Sequence, residues 1–180
     1  MKADLHLEIE LTGGVTATKN GFMLVIKGQK GETKREYTHP HISFEVKGNK
    51  IILAAVKATK REKKIMNSFE AHIKNMIKGV QEPHIYKLRI CSGHFPMNVS
   101  ISGQELIIKN FLGESVPRKV TILPGADVKV NGTEIIVSGS DKEVAGQTAA
   151  RIENLCRITN RDRRIFQDGC YIIEIAGKSI

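Results

Sequence analysis

Tryptophan is absent from this 180-residue chain, and aromatic residues together make up only 5% of it. Non-specific single-strand binders stack bases on aromatic side chains, so this composition is poor in such platforms. Any nucleic-acid contact is therefore expected to go to backbone and shape, as in folded RNA or a duplex. Cysteine is scarce as well. Cys91, Cys156 and Cys170 are odd in number and far apart, which argues against a disulfide framework and for a reducing compartment. No apolar run approaches the length that spans a bilayer. The opening stretch Met1–Glu10 alternates acids with apolar residues, unlike the basic-then-apolar pattern of a secretory signal. The strand-to-helix serine elbow, the phosphate-binding glycine loop and the dinucleotide fingerprint are all missing. Cys91-Ser92-Gly93-His94 has the spacing of half a zinc site, but no second pair completes it, so neither metal nor cofactor is expected. Asp162 and Asp168 read as turn formers or arginine partners, and no enzymatic role is expected.

What the chain does have is positive charge. Lys and Arg number 28 against 19 Asp and Glu, a net +9, and the pI is about 9.5. That excess points to polyanions, nucleic acid first and an anionic membrane surface second. At 41% hydrophobic and 26% charged, the composition is that of an ordinary globular protein.

Hydropathy patterning places strands first. Leu5, Leu7, Ile9 and Leu11 alternate with His6, Glu8 and Glu10, a period of two with one wet face. Short strand patterns follow at 15–18, 22–27, 35–38, 42–46 and 50–56, separated by Asn20-Gly21, Lys30-Gly31 and Gly48-Asn49. Thr59 with Glu62 forms a capping-box pattern for a helix that carries Ile65, Phe69, Ile73, Met76 and Ile77 on one face. Its end is expected at Lys78-Gly79. A second programme of the same kind then begins: strands at 86–91, 97–101, 105–109, 118–122, 128–130 and 134–137, and a helix capped by Asp141.

The two halves align. Asn20-Gly21-Phe22-Met23-Leu24-Val25-Ile26-Lys27 falls on Ser102-Gly103-Gln104-Glu105-Leu106-Ile107-Ile108-Lys109, and Gly31-Glu32 on Gly113-Glu114. After a two-residue shift, Val46-Lys47-Gly48 meets Val130-Asn131-Gly132. The expectation is an α+β protein of two tandem, similar domains from an internal duplication, each a small, mostly antiparallel sheet packed on one helix. The boundaries are 1–82, lysine-rich, and 83–180, arginine-rich. The first carries 15 basic against 9 acidic residues, and the second 13 against 10.

Seven of the nine arginines are in the second half, and Arg157, Arg161, Arg163 and Arg164 crowd one segment between the second helix and the apolar strand 171–175. Guanidinium forks match phosphate oxygens in pairs, whereas lysine is a diffuse point charge. The second half is thus expected to make the specific contact.

Four separated motifs carry a resemblance: Ala71-His72-Ile73-Lys74-Asn75-Met76-Ile77-Lys78-Gly79-Val80, His94-Phe95-Pro96-Met97-Asn98-Val99, Asn110-Phe111-Leu112-Gly113-Glu114, and Arg163-Arg164-Ile165-Phe166-Gln167-Asp168-Gly169-Cys170-Tyr171. In this order they resemble the large-subunit ribosomal protein L-six family, its archaeal and eukaryotic branch in particular. The resemblance implies two duplicated α+β domains and binding of large-subunit rRNA near the sarcin–ricin loop, close to where translational GTPases dock. It implies that the second domain is the principal rRNA anchor, and allows neighbouring large-subunit proteins as further partners. Location is then cytoplasmic and ribosome-associated. Carried over by position, the expected rRNA-binding residues are Arg157, Arg161, Arg163 and Arg164, with Lys87, Arg89, His94, Arg118 and Lys119. A stand-alone, non-catalytic RNA-binding module of the same fold is the alternative.

Overall fold

The computed structural model describes residues 3–180; the reading of Met1–Glu10 as no secretory signal begins on Met1 and Lys2, which lie outside the described residues. The chain divides into two compact units, Met1–Pro83 and His84–Ile180.

In the first unit the described residues form β1 (Ala3–Glu10), β2 (Thr16–Asn20), β3 (Met23–Gly28), β4 (Gly31–Glu36), β5 (Ser43–Lys47), β6 (Lys50–Ala58) and the helix α1 (Lys60–Gln81). The strands make two antiparallel three-stranded sheets, ordered β1-β6-β5 and β2-β3-β4. Helix α1 packs on both through β3 and β6. Its capping box is present: the Thr59 side chain accepts from the Arg61 N–H, and Glu62 accepts from the Thr59 N–H at 2.8 Å. Ile73, Met76, Ile77 and Val80 reach the core formed with Leu24, Ile26, Ile51 and Leu53.

Helix α1 does not stop at Gly79. Gly79 lies buried inside the last turn, which continues to Gln81. Burial of Val80 holds that turn down: its carbonyl accepts from Lys30 N–H at 2.9 Å and it packs on Gly28, where an added Cβ would stand 2.7 Å from the same carbonyl oxygen. Pro83 then forces Glu82 out of the helical region, to φ −134° and ψ 122°. Likewise β4 starts earlier than the pattern at 35–38 suggests. Tyr37 leaves the strand so that its ring can sit edge-on to Phe44 and Phe69, at 5.9 and 5.0 Å between centroids.

The second unit repeats the order with β7 (His84–Cys91), β8 (Asn98–Ser102), β9 (Glu105–Lys109), β10 (Arg118–Thr121), β11 (Ala126–Asn131), β12 (Glu134–Gly139) and α2 (Lys142–Leu155), then adds β13 (Gly169–Ile175) and β14 (Lys178–Ser179). Its sheets are ordered β10-β9-β8 and β11-β12-β7-β13-β14. The Asp141 side chain caps α2 by accepting from Glu143 N–H at 2.8 Å. Ala145, Thr148, Ala149 and Ile152 are buried along one helix face.

The repeat is visible in backbone conformation. Gly21 and Gly103 turn the equivalent β2–β3 and β8–β9 hairpins at φ +64° and +60°, and Gly48 and Gly132 turn β5–β6 and β11–β12 at +58° and +60°. Only glycine adopts this region without strain, which is why those glycines recur in the alignment. The pairing of Gly31-Glu32 with Gly113-Glu114 does not survive in structure. Gly31 opens β4 directly after a two-residue turn, whereas Gly113 ends a 3₁₀ turn, Phe111–Gly113, inserted between β9 and β10. The buried Phe111 ring anchors that insertion.

Candidate nucleic-acid interface

The arginine segment runs from the end of α2 to the start of β13, and its own side chains shape it. Asp162 accepts from the Arg164 backbone N–H at 2.9 Å and from its guanidinium at 2.7–3.2 Å. The Asp162 carbonyl accepts from Ile165 and Phe166 N–H at 3.1 and 2.9 Å. Asn160 takes a left-handed conformation at φ +59° just before this turn, a region that Asn tolerates better than most residues. The Arg164 guanidinium holds the Asp162 carboxyl below its usual range. This ion pair orients rather than neutralises, since the Arg164 side chain remains 90% exposed. Arg161 lies over the Phe166 ring, 4.9 Å from its centroid, and the other partner of that ring is His94, also at 4.9 Å. Arg157 and Arg163 are exposed and make no ion pair among the described residues.

Two devices fix this loop to the sheet. The first is Asp168, 1% exposed, immediately before β13. Its carboxylate accepts from the Gly93 N–H, from the His94 N–H at 3.2 Å, and lies 3.1 Å from His94 Nδ1. Asp168 thus joins the turn after β7 to the arginine loop; it is a turn former and a histidine partner, with no arginine on its carboxylate among the described residues. The second is Arg118. Its Nε and Nη2 donate to the Glu114 carboxylate at 2.8 and 2.5 Å, and Nη1 donates to the Leu155 carbonyl at 2.6 Å; the guanidinium also covers the Phe111 ring at 4.2 Å. Leu155 is the last residue of α2, which has no basic residue in its own last turn. Arg118 supplies that missing cation from another strand. Glu114 in turn is held below its ordinary pKa by the Arg118 guanidinium.

The structure therefore brings Arg161 and His94 together on the Phe166 ring and Arg157 and Arg163 together at one depression, keeps Arg164 in the same loop on Asp162, and engages the donors of Arg118 on Glu114 and on the Leu155 and Arg157 carbonyls. Three other sequence-expected residues lie on strands of the same unit. Lys87 bonds Glu174 across the β7–β13 pair at 2.7 Å and is raised in pKa by it. Arg89 is exposed on β7 opposite Tyr171. Lys119 is exposed on β10, with Glu105 at 4.0 Å.

Tyr171 is a site residue that charge-based reading overlooks. Its hydroxyl donates to the Gln167 carbonyl at 3.1 Å, and its ring lines two adjacent depressions. Arg157, Ile158 and Arg163 line one of them; Ser92, His94, Ile165 and Gln167 line the other. The Arg-Ile-Phe-Gln sequence was a partial signal: Phe166 packs against the core of its unit, whereas Ile165 stays 61% exposed. Beneath the first depression, Cys156 and Cys170 are buried free thiols, and their mutual contact and burial push the Cys170 thiol well above its ordinary value. Among the described residues, no group of three or more His, Cys, Asp or Glu side chains is placed to hold a metal ion, and no helix is long and apolar enough to cross a membrane.

A tandemly repeated α+β unit whose second copy mounts an arginine loop on a sheet end defines a class of small, basic, duplicated proteins. The sequence profile of the family described as Ribosomal protein L6 matches residues 12–83 and 95–169, one match in each unit. The chain belongs to that family, whose members are structural, non-enzymatic ribosomal proteins. Among similar proteins, the large ribosomal subunit protein uL6 of Methanococcus vannielii is 46% identical over 171 residues, covering 95% of this chain and 94% of that one. Those of Methanocella arvoryzae and Nanoarchaeum equitans are 43% and 42% identical; these alignments cover 96% and 98% of this chain, and 98% and 96% of the relatives.

Proposed function

We propose that this ribosomal protein is a structural constituent of the large subunit and that its second unit anchors it to large-subunit rRNA through the loop Arg157–Arg164. The observation that carries the proposal is the loop's mounting. Four arginines stand on a segment whose backbone is tied down by Asp168 and Arg118, so the loop itself needs little ordering on binding. Contacts of this kind set position and register without reading base sequence. Arg89 and Lys119, exposed on the same unit, extend the basic surface; Lys87 joins it only by exchanging Glu174 for phosphate. Family membership supports, as part of this proposal, an rRNA site near the sarcin–ricin loop beside the docking region of translational GTPases, and a cytoplasmic, ribosome-bound location.

The test is binding of the full chain to a large-subunit rRNA fragment containing the sarcin–ricin region, across a salt series, with bulk tRNA as competitor. Tight, tRNA-resistant binding that weakens steeply with salt is expected. Equal displacement by any RNA would overturn the anchor and leave a general RNA-binding module.

A further inference from the structure

The acidic first strand is the part of the chain that the rRNA reading leaves unused. The protein is strongly basic, yet β1 presents Asp4, Glu8 and Glu10 to solvent along with His6. Among the described residues Lys50 pairs with both Glu8 (3.0 Å) and Glu10 (3.4 Å), while Asp4 accepts from the Lys57 backbone N–H. An RNA strand would be repelled here.

The duplication shows what this edge lacks. In the second unit the strand equivalent to β1 is β7: each pairs with the hairpin strand before the helix, β1 with β6 and β7 with β12. On the far edge of β7 lies β13, antiparallel, whose Cys170 and Ile172 join the core. On the far edge of β1 no strand lies, among the described residues. Packing records the difference. Register sets Leu7 opposite Leu53, as Tyr86 is set opposite Val137. Tyr86, with α2 against its ring as well, is buried at 6% exposure, whereas Leu5 and Leu7 are only partly covered.

We infer that the outer edge of β1 is a docking site for one extended segment of another protein. The segment adds antiparallel to β1 and alternates apolar residues, which cover Leu5 and Leu7, with Lys or Arg, which face Asp4, Glu8 and Glu10. Strand addition gives main-chain hydrogen bonds for affinity and alternate side chains for specificity. Opposed charges on neighbouring strands favour the pairing and like charges oppose it. The same rule disfavours a second copy of this chain, because pairing β1 with β1 would set acids against acids. A natural edge strand is ordinarily protected by charge and bulges. The bulge near Asp4 protects only the start of β1, and the partly covered leucines face the core side.

The inference does not depend on the rRNA reading, and its test separates from it. The isotope-labelled full chain is titrated with an eight-residue peptide alternating Lys and Val, and separately with one alternating Glu and Val. Amide shifts confined to β1 and to its neighbours on β6 are expected with the lysine peptide alone, with affinity about tenfold weaker in the Glu8→Lys/Glu10→Lys variant. Equal response to both peptides, no response, or shifts elsewhere would overturn it. A photo-crosslinker at the exposed position His6, in the chain assembled into ribosomal particles, gives a second readout. A protein segment with alternating apolar and basic residues is expected as the crosslinked product. A crosslink to RNA, to an acidic segment, or to nothing would overturn the inference.

Discussion

Arg118 and Arg163 are both arginines of the second unit, yet the structure uses them in different ways. Arg118 places three donors on Glu114 and the end of α2, and its side chain is 25% exposed. Hydrogen bonds to charged groups contribute about 1.5–3 kcal/mol each, less where solvent screens them. Arg118→Ala should therefore lower the thermal stability of the second unit by about 1–3 kcal/mol and weaken rRNA binding indirectly. The slope of log affinity against log salt should stay nearly unchanged, because no phosphate contact is lost. Arg163 and Arg164 are exposed instead, Arg164 with its guanidinium also on the Asp162 carboxylate. Arg163→Glu/Arg164→Glu should lower the melting temperature only slightly, through loss of the exposed Arg164–Asp162 pair, cost rRNA affinity strongly, and flatten the salt slope by roughly one unit per lost contact. Binding and slope unchanged in the double variant would remove the loop from the interface. The charges of these side chains are legible in the sequence, but their uses are not. Arg118 reads as one of a basic pair with Lys119; only the fold reveals that it faces the end of a helix 37 residues away in the chain.

Elements were more legible than individual side chains where local chemistry decides them, and less so where packing does. The start of α1 is a local matter. Thr59 and Glu62 satisfy each other's backbone groups within four residues, so the capping box could be read directly. The end of α1 is a tertiary matter. Gly79 reads as a stop, but burial of Val80 against Gly28 carries the helix to Gln81. The 3₁₀ turn at Phe111–Gly113 was hidden for the same reason, since it exists because Phe111 is buried. The cap also yields a pH prediction. The Thr59 hydroxyl, followed by its N–H, holds the Glu62 carboxyl down from 4.5 to about 2. A depressed carboxyl stabilises the fold fully above the ordinary value, and that contribution fades as pH falls from 4.5 toward 2. Thermal unfolding of Glu62→Gln against the parent should show a gap near neutral pH that closes over this window. Thr59→Ala should cost about 1 kcal/mol at neutral pH, the ordinary loss of an N-cap. A gap independent of pH would mean that Glu62 acts through packing alone.

At the scale of the molecule, one duplicated unit stands in two versions. The shared order of six strands and a helix, with matching glycine turns, was visible as a repeat because turns demand glycine whatever the surface does. The surface has diverged. The second unit has β13, which closes the edge of β7 and is preceded by the loop that carries the arginines. In the first unit the equivalent edge carries no strand among the described residues and is acidic, and the positive charge is lysine: 13 of its 15 basic residues, against 6 of 13 in the second. Several of those lysines are already paired with carboxylates, as Lys27 and Lys34 are with Glu32 at 3.1 and 2.9 Å. Such exposed pairs are weak, and a released lysine is a mobile point charge without the planar fork. Lysine in the first unit should therefore raise the encounter rate with RNA more than it raises specific affinity. Replacing Lys30 and Lys34 with alanine in the full chain should slow association at low salt and leave dissociation from the rRNA fragment nearly unchanged. The Arg163→Glu/Arg164→Glu variant should do the reverse and speed dissociation. If the lysine variant instead dissociated as fast as the arginine one, the anchor would be shared between the units, and the division of labour drawn from arginine's clustering would fail.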